Sequence, residues 1–513
     1  MREPFVKSGA VIASLRIPSL VLAAALLLEP TAPAGAAPLQ QQWVVASDVH
    51  FDPFADQALV TKLEAAPPER WRGIFESAGP QPFSGYGSDT NDALLESALG
   101  AMRNAVTSPP VVIVDGDFLA HDFRAKFEHA TGLSDDTAYR AFVDKTEAFV
   151  AQEFEAAFPH ARILPVVGNT DGYCADGQSG ANTPFLARMG ADWAGAVGAQ
   201  DPLAFLAQFS AGGYYDVPLP VASAHAIVLN DTFWASGFRD TCSTPAGMPG
   251  GAEFSWLVQA LKADAGGPVW IVAHLPPGID VYSTLHATPG SPPITFLNDR
   301  DNASFIAALS SQAPPVVMAI AGHTHMDSFR IIGPESGDVR TPMLVVPSIS
   351  PVASSNPSFE VLDVDAASAQ VNDARVWVLH DLAALAKDGK REASWKREYD
   401  FDAIFGHGPL TAAHLSDIQQ DMFENERVRK RYAEYYDGGS GRVAMPDSDW
   451  RAYWCANVAL TAVAYGACAM PQIQRNLPPH PSPPPLPTPA PTPSPTPSPT
   501  TSPTPSPTAS PSP

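Results

Sequence analysis

Val316-Val317-Met318-Ala319-Ile320-Ala321 runs directly into Gly322-His323-Thr324-His325. A short apolar run closed by glycine reads as a buried strand, and two histidines stand where it stops. The pattern recurs upstream. Trp43-Val44-Val45-Ala46-Ser47 leads to Asp48 and His50; Val111 to Val114 leads to Asp117; Ile163 to Val167 leads to Asn169; Val269 to Ala273 leads to His274. Any one of these residues alone reads as a core or turn residue. Together they form an ordered set of hard and borderline ligands, each behind its own strand, as a two-metal centre requires.

Side chains at i and i+2 of a strand point to the same side. Asp48 and His50 are therefore expected to reach one ion together, and His323 and His325, on an extended turn, to serve one ion each. Asp117 is the natural bridge, because its two oxygens and its charge offset two close cations. Imidazole, carboxylate and amide together suit Zn first, then Fe, Mn or Co, rather than Ca or a thiolate site. His121 follows Asp117 by four residues, so a helix starting there would place both on one face and make His121 the candidate general acid. Asp122, Asp52 and Asp171 read as caps or as supports of the ligands.

With these motifs in hand, the chain resembles the calcineurin-like metallophosphoesterases, and among them the acid-sphingomyelinase-like phosphodiesterases. The resemblance rests on Ser47-Asp48-Val49-His50-Phe51-Asp52, Gly116-Asp117-Phe118-Leu119-Ala120-His121-Asp122, His274-Leu275-Pro276-Pro277-Gly278 and Gly322 to Phe329, and covers about residues 43–365. It implies a sandwich of two mixed β-sheets with helices outside and metals at the strand ends. It implies that Asp48, His50, Asp117 and His325 hold one ion, that Asp117, Asn169, His274 and His323 hold the other, and that His121 protonates the leaving group. Many relatives carry histidine after the Gly-Asn pair, where this chain has Thr170. Threonine cannot donate a proton near neutral pH, so either His121 acts alone or the leaving group needs little help. Sphingomyelin-cleaving relatives carry a saposin-like domain ahead of the catalytic unit, for which the short stretch before Trp43 leaves no room. A soluble nucleotide, a phosphocholine ester or a polyphosphate is thus as plausible a substrate as sphingomyelin.

Composition bounds the rest. Residues 1–36 read as an export signal, with Lys7 and Arg16, the apolar Leu20 to Leu28, and small residues at Ala34-Gly35-Ala36. That apolar run is too short to span a membrane, so secretion to the periplasm or exterior is expected. From Leu477 to 513, Pro/Thr/Ser repeats have no apolar face to bury and are expected to be a disordered spacer, surface tether or stalk. The net charge of −23 argues against nucleic-acid polymers as partners, but not against a small phosphate ester beside two divalent cations. The four cysteines fit two disulfides in an exported chain; of three pairings, Cys455–Cys468 and Cys174–Cys242 are favoured.

Strand runs alternating with helical periodicity, as at Asp92 to Val106, Thr137 to Phe158 and Glu253 to Leu261, give an α/β class. Ala224 to Leu229, Met343 to Val346 and Phe359 to Val364 read as further strands. Residues 380–476 read as a helical C-terminal appendage. The expected function is an exported dimetal phosphodiesterase. The alternatives are a phosphomonoesterase or polyphosphatase on the same site, and a non-catalytic surface-attached binding protein.

Overall fold

Trp43 and Trp270 pack ring against ring, 4.8 Å between centroids, at the centre of the molecule. Each belongs to a different β-sheet. The computed structural model describes residues 40–476 apart from 175, 179, 240–248, 264–265, 311–315, 334–339, 390 and 443–444. The expected signal, the Pro/Thr/Ser tail and Cys242, hence the Cys174–Cys242 pairing, lie outside the described residues.

The strands are β1 (Gln40–Ser47), β2 (Val111–Asp115), β3 (Arg162–Pro165), β4 (Tyr215–Pro218), β5 (His225–Val228), β6 (Val269–Val272), β7 (Val316–Ala321), β8 (Ser328–Ile332), β9 (Thr341–Val345), β10 (Ser358–Asp365), β11 (Val371–Leu379) and β12 (Trp395–Asp400). They form two six-stranded sheets, ordered β12-β11-β10-β1-β2-β3 and β4-β5-β6-β7-β9-β8. β1, β2 and β3 are parallel in the first sheet. β5, β6 and β7 are parallel in the second. Parallel strands end on one edge, so the residues after β1, β2, β3, β6 and β7 can meet there. The expected mixed α/β sandwich is the observed architecture.

The strand period of two explains the layering. Trp270 and Val272 of β6 enter the core between the sheets, whereas Val269 and Ile271 enter a second core. That second core contains Leu257 and Leu261 of the helix Pro249–Ala263, and Phe305 and Leu309 of the helix Asp299–Ser310. Both faces of the strand are covered, which is why it reads as an unbroken apolar run. Truncating a tryptophan such as Trp43 at this junction costs about 3–5 kcal/mol. The helix Asp92–Ala105 starts where Asn91 accepts the amide of Leu94, and the helix Asp136–Ala157 where Asp135 accepts that of Ala138, both N-caps of the expected kind.

The C-terminal third needs correction. The first sheet does not stop at residue 365: β11 and β12 extend it antiparallel, and β12 lies inside the stretch 380–476 read as helical. The sequence of β12, WKREYD, is charged because it is an edge strand, where charge blocks further pairing and hides the apolar signal. The remainder is helical: Ala412–Glu424 and Glu426–Tyr435, separated at Asn425, then Trp450–Ala456 and Ala462–Asn476. Cys455 and Cys468 join the last two in a disulfide with Cα atoms 5.9 Å apart.

Candidate metal centre

Asp117 Oδ2 lies 3.4 Å from His50 Nε2 and 3.3 Å from His274 Nε2. Each ring is oriented from behind. His50 Nδ1 is 3.1 Å from the carbonyl of Leu119, and His274 Nδ1 is 3.1 Å from the carbonyl of Asp115. A carbonyl only accepts, so each Nδ1 carries a proton, and in the neutral ring the lone pair on Nε2 is turned to the site. His325 Nε2 lies 3.2 Å from His50 Nε2 and 3.4 Å from Asp48 Oδ1. Asn169 Oδ1 lies 3.1 Å from His274 Nε2. Carboxylate and amide oxygens therefore crowd the His274 Nε2 position, where positive charge is favoured.

All seven expected ligands meet at this edge. Asp48, His50 and His325 form one group whose donor atoms lie within 4.8 Å of one another; Asp117, His274 and His323 form another. Asn169 joins the second through His274. His323 donates its backbone amide to Asp48 Oδ2 at 3.0 Å, and its ring lies 5.3 Å from that of His274.

The ligands do not converge along extended strands, as was expected of them. Asp48, His50, Asp117, His323 and His325 all have positive φ, between 44° and 65°. They stand on turns past the strand ends, not on extended backbone. Positive φ is uncommon outside glycine and clusters at functional sites. His323 and His325 do enter different groups, but through left-handed turns.

Two close approaches leave no room for a side chain. A Cβ on Gly168 would collide with the amide and Oδ1 of Asp117, and one on Gly322 with Ser47 Oγ and Asp48 Oδ2. The Gly-Asn and Gly-His pairs thus have a steric cause.

The donor set fits divalent cations. Asp48 Oδ1 and His325 Nδ1 are buried without a hydrogen-bond partner. Burial pushes His50 down to about 3 and His323 to about 4, so both imidazoles are neutral and free to ligate. Burial opposes charge on His274 too, but Asp117 and Asp48 outweigh it and hold this ring well above its usual range. Positive charge is thus stabilised where Asn169, Asp117 and His274 meet. Neutral imidazole, carboxylate and amide oxygen suit Zn, Fe, Mn or Co.

The supporting residues divide in two. Asp171 Oδ1 accepts the amides of Phe118 and Leu119 at 2.8 and 3.2 Å, and Oδ2 accepts that of Gly168 at 2.8 Å, tying the β2 turn to the β3 turn. Thr170 donates its amide to Asp117 Oδ1 at 2.8 Å and its hydroxyl to the carbonyl of Leu119 at 3.0 Å. Asp52 pairs with Lys126 at 2.9 Å. Asp122 occupies the N-cap position of the helix Phe123–Thr131, yet makes no side-chain cap bond, and is exposed.

No helix begins at Asp117, contrary to the expectation for His121; the helix starts at Phe123. His121 nevertheless reaches the centre, its ring stacked on His50 at 4.1 Å. Its Nδ1 lies 2.8 Å from Asp89 Oδ1. Burial lowers its pKa, but the hydrogen bond and charge of Asp89 outweigh this and raise it overall. Asp89 was not foreseen, because the loop that carries it follows no apolar strand. Asp231 was also missed. It is buried and accepts the amides of His274 and Leu275, each at 3.1 Å through Oδ1.

No protein-family model matches the chain. Curated relatives do. Sphingomyelinase phosphodiesterase D of Dictyostelium discoideum is 25% identical over 371 residues, covering 69% of this chain and 75% of its own. Acid sphingomyelinase-like phosphodiesterase 3b of Homo sapiens is 21% identical, over 77% and 85%. Cyclic GMP-AMP phosphodiesterase SMPDL3A of Mus musculus is 22% identical, over 86% and 94%. Among solved structures, that of PhoD overlaps 71% of this chain and 70% of its own, at 12% identity and a TM-score of 0.42. The chain is a homologue of the acid-sphingomyelinase-like phosphodiesterases.

Proposed function

We propose that this phosphoric ester hydrolase cleaves a phosphodiester of a small molecule at a centre of two divalent metal ions. Asp48, His50, His325 and Asp117 would hold one ion, and Asp117, Asn169, His274 and His323 the other. When bound, the two ions supply Lewis-acid charge neutralisation and a nucleophilic water ionised near neutral pH.

The chain's own residues do the rest. The Leu119 and Asp115 carbonyls lock His50 and His274 in the tautomer that ligates, as such backing groups commonly do. Asn169 contributes an uncharged oxygen and leaves the centre net positive toward a phosphate. His121 is the proton donor to the leaving oxygen. Asp89 holds its Nδ1 and favours its charged form, and Nε2 has no protein partner among the described residues. Thr170 spends its hydroxyl on a backbone carbonyl and takes no part in proton transfer.

The observation that carries this reading is the placement of Asp117 Oδ2 between the Nε2 atoms of His50 and His274, at 3.4 and 3.3 Å. The names of the relatives support the diester preference. The Cys455–Cys468 disulfide supports an exported protein. None of the described helices is long and apolar enough to cross a membrane. We place the catalytic unit at about 43–365 with β11 and β12 added to its sheet, and the helices after Phe405 against it.

Purified protein assayed on bis-(p-nitrophenyl) phosphate and p-nitrophenyl phosphate, with metal analysis alongside, tests the proposal. The diester should be hydrolysed preferentially, and bound metal should approach two equivalents. Strong preference for the monoester would make the protein a phosphomonoesterase; no turnover with full metal would favour a binding protein.

A further inference from the structure

Asn169 differs from the other candidate ligands in that the two ends of its amide are alike in size and opposite in chemistry. The oxygen can hold a metal ion; the NH2 group is a donor and cannot. The torsion that exchanges them is broad and roughly two-fold, so local geometry does not choose between the two ends. Asn169 is also only half-buried, whereas His50 and His274 are buried against backbone carbonyls. In the structure its Oδ1 faces His274 Nε2 at 3.1 Å, and its Nδ2 donates to Asp176 Oδ1 at 2.7 Å. An ionised carboxylate only accepts. The end of the amide beside Asp176 must therefore be the nitrogen, which leaves the oxygen for the centre.

Closing the loop does not require this bond. The loop is already closed through its backbone: the amide of Gly177 donates to the carbonyl of Asn169 at 3.1 Å, and the amide of Arg239 donates to the carbonyl of Gly177 at 3.2 Å. Asp176 itself is exposed, so water could solvate its carboxylate at no cost to packing. It sits instead where the charges of Asp117, His121 and His274 act on it. Like charge from Asp117 disfavours a carboxylate there. The cation that Asn169 helps to hold would offset that repulsion.

Resting on the two-metal reading above, we infer that Asp176 is the positioning residue for Asn169, fixing its amide with Oδ1 toward the ion held by Asp117, His274 and His323. The bond acts in two ways. It removes the flipped amide, which would turn a donor toward the cation. It also draws electron density toward Oδ1 and makes that oxygen a stronger ligand, as a carboxylate behind a ligating histidine does. Asp176 touches neither the ion nor the reacting phosphate, so its effect falls on the affinity for one ion. The group Asp48, His50 and His325 has no hydrogen bond to Asp176 among the described residues, and the ion it holds serves as the internal control.

The experiment reads metal retention apart from turnover. Zinc-loaded protein is equilibrated with graded concentrations of a chelator, and the metal that stays bound is counted by elemental analysis. Wild-type protein should release two ions. Asp176→Ala should weaken one of them by about 10–100-fold, the usual effect of removing a group that orients a ligand, and leave the other within a few-fold. Asp176→Asn still offers an acceptor oxygen and should recover most of the loss. Asn169→Asp alone sets two carboxylates against each other. Adding Asp176→Asn to it reverses the direction of the hydrogen bond, and the weakened ion should bind more tightly in the double variant than in Asn169→Asp. Unchanged retention in Asp176→Ala, an equal loss of both ions, or no recovery in the double variant would each overturn the assignment. Wild-type protein that holds only one ion would refute the two-metal reading itself, before any variant is compared.

Discussion

The ring of His121 lies face to face with that of His50, 4.1 Å between centroids and 24° between planes, while its Nδ1 is held 2.8 Å from Asp89 Oδ1. One imidazole is backed by a neutral carbonyl and presents a lone pair. The other is backed by a carboxylate and retains a proton. Two stacked histidines are thereby assigned opposite tasks by what stands behind them. His121→Ala should keep the metal content of the wild type and lower kcat by about 10²–10⁴-fold, the usual range for a general acid. Asp89→Asn should lower kcat less, because the ring stays in place with a weaker partner. Metal analysis beside steady-state rates checks both; undiminished turnover in His121→Ala would remove it from the mechanism.

Asp117 stands between the two groups of donors, so its loss should be felt by both. Asp117→Ala is expected to lose turnover and most bound metal at once. Because ions that bind only the folded chain stabilise it by mass action, chelation should lower the melting temperature of the wild type. The variant, already depleted, should respond little. Melting curves with and without chelator give the comparison, and an equal response in both proteins would exclude Asp117 from the metal centre.

The strands that carry the centre were legible because each apolar run gives way to a polar residue or glycine just before the candidate ligand: β1 at Ser47 and then Asp48, β2 at Asp115 and then Asp117, β7 at Gly322 and then His323. That contrast survives because both faces of these strands are buried. The conformation that aims the ligands was not legible. Positive φ at Asp48, His50 and His325 comes from tertiary constraint, such as the amide of His50 donating to the carbonyl of Asp117 at 2.7 Å; the enrichment of aspartate and histidine in this region is too small to announce it from sequence. Asp89 was invisible for a related reason. It arrives on a loop held by the bond from the Thr90 amide to the carbonyl of His50 at 3.0 Å, so only the fold brings it to His121. β12 escaped notice because an edge strand is recognised by pairing rather than by hydrophobicity.

Gly168 is where sterics and chemistry meet most directly. A methyl group there would overlap the amide and Oδ1 of Asp117, which is backbone and a buried carboxylate held by the Thr170 amide, not a flexible side chain able to yield. Gly168→Ala should therefore cost about 1–3 kcal/mol of stability, as overpacking does, and reduce metal affinity as well. Gly73, where an added methyl group would meet only open space, sits inside the helix Trp71–Ala78 and is the control: Gly73→Ala should be neutral or slightly stabilising. Denaturant titration of the two variants separates a local clash from a general intolerance of alanine.

Glu398 of β12 is half-buried and raised to about 8, first by desolvation and then by the charges of Asp327, Asp437 and Glu434. Its pKa in the unfolded chain is near 4.5. A carboxyl raised on folding favours the folded state while it is protonated in both states. Its contribution is complete below about pH 4.5 and is lost as pH climbs through about 8, because the unfolded chain releases the proton first. Glu398→Gln removes this dependence without removing hydrogen-bonding capacity. The melting temperature of the variant should rise relative to the wild type between pH 5 and pH 8, with the gap levelling off above that window. A gap that stays constant across the range, or that widens toward acid, would show that Glu398 is ionised in the folded protein and that its acidic neighbours do not act on it.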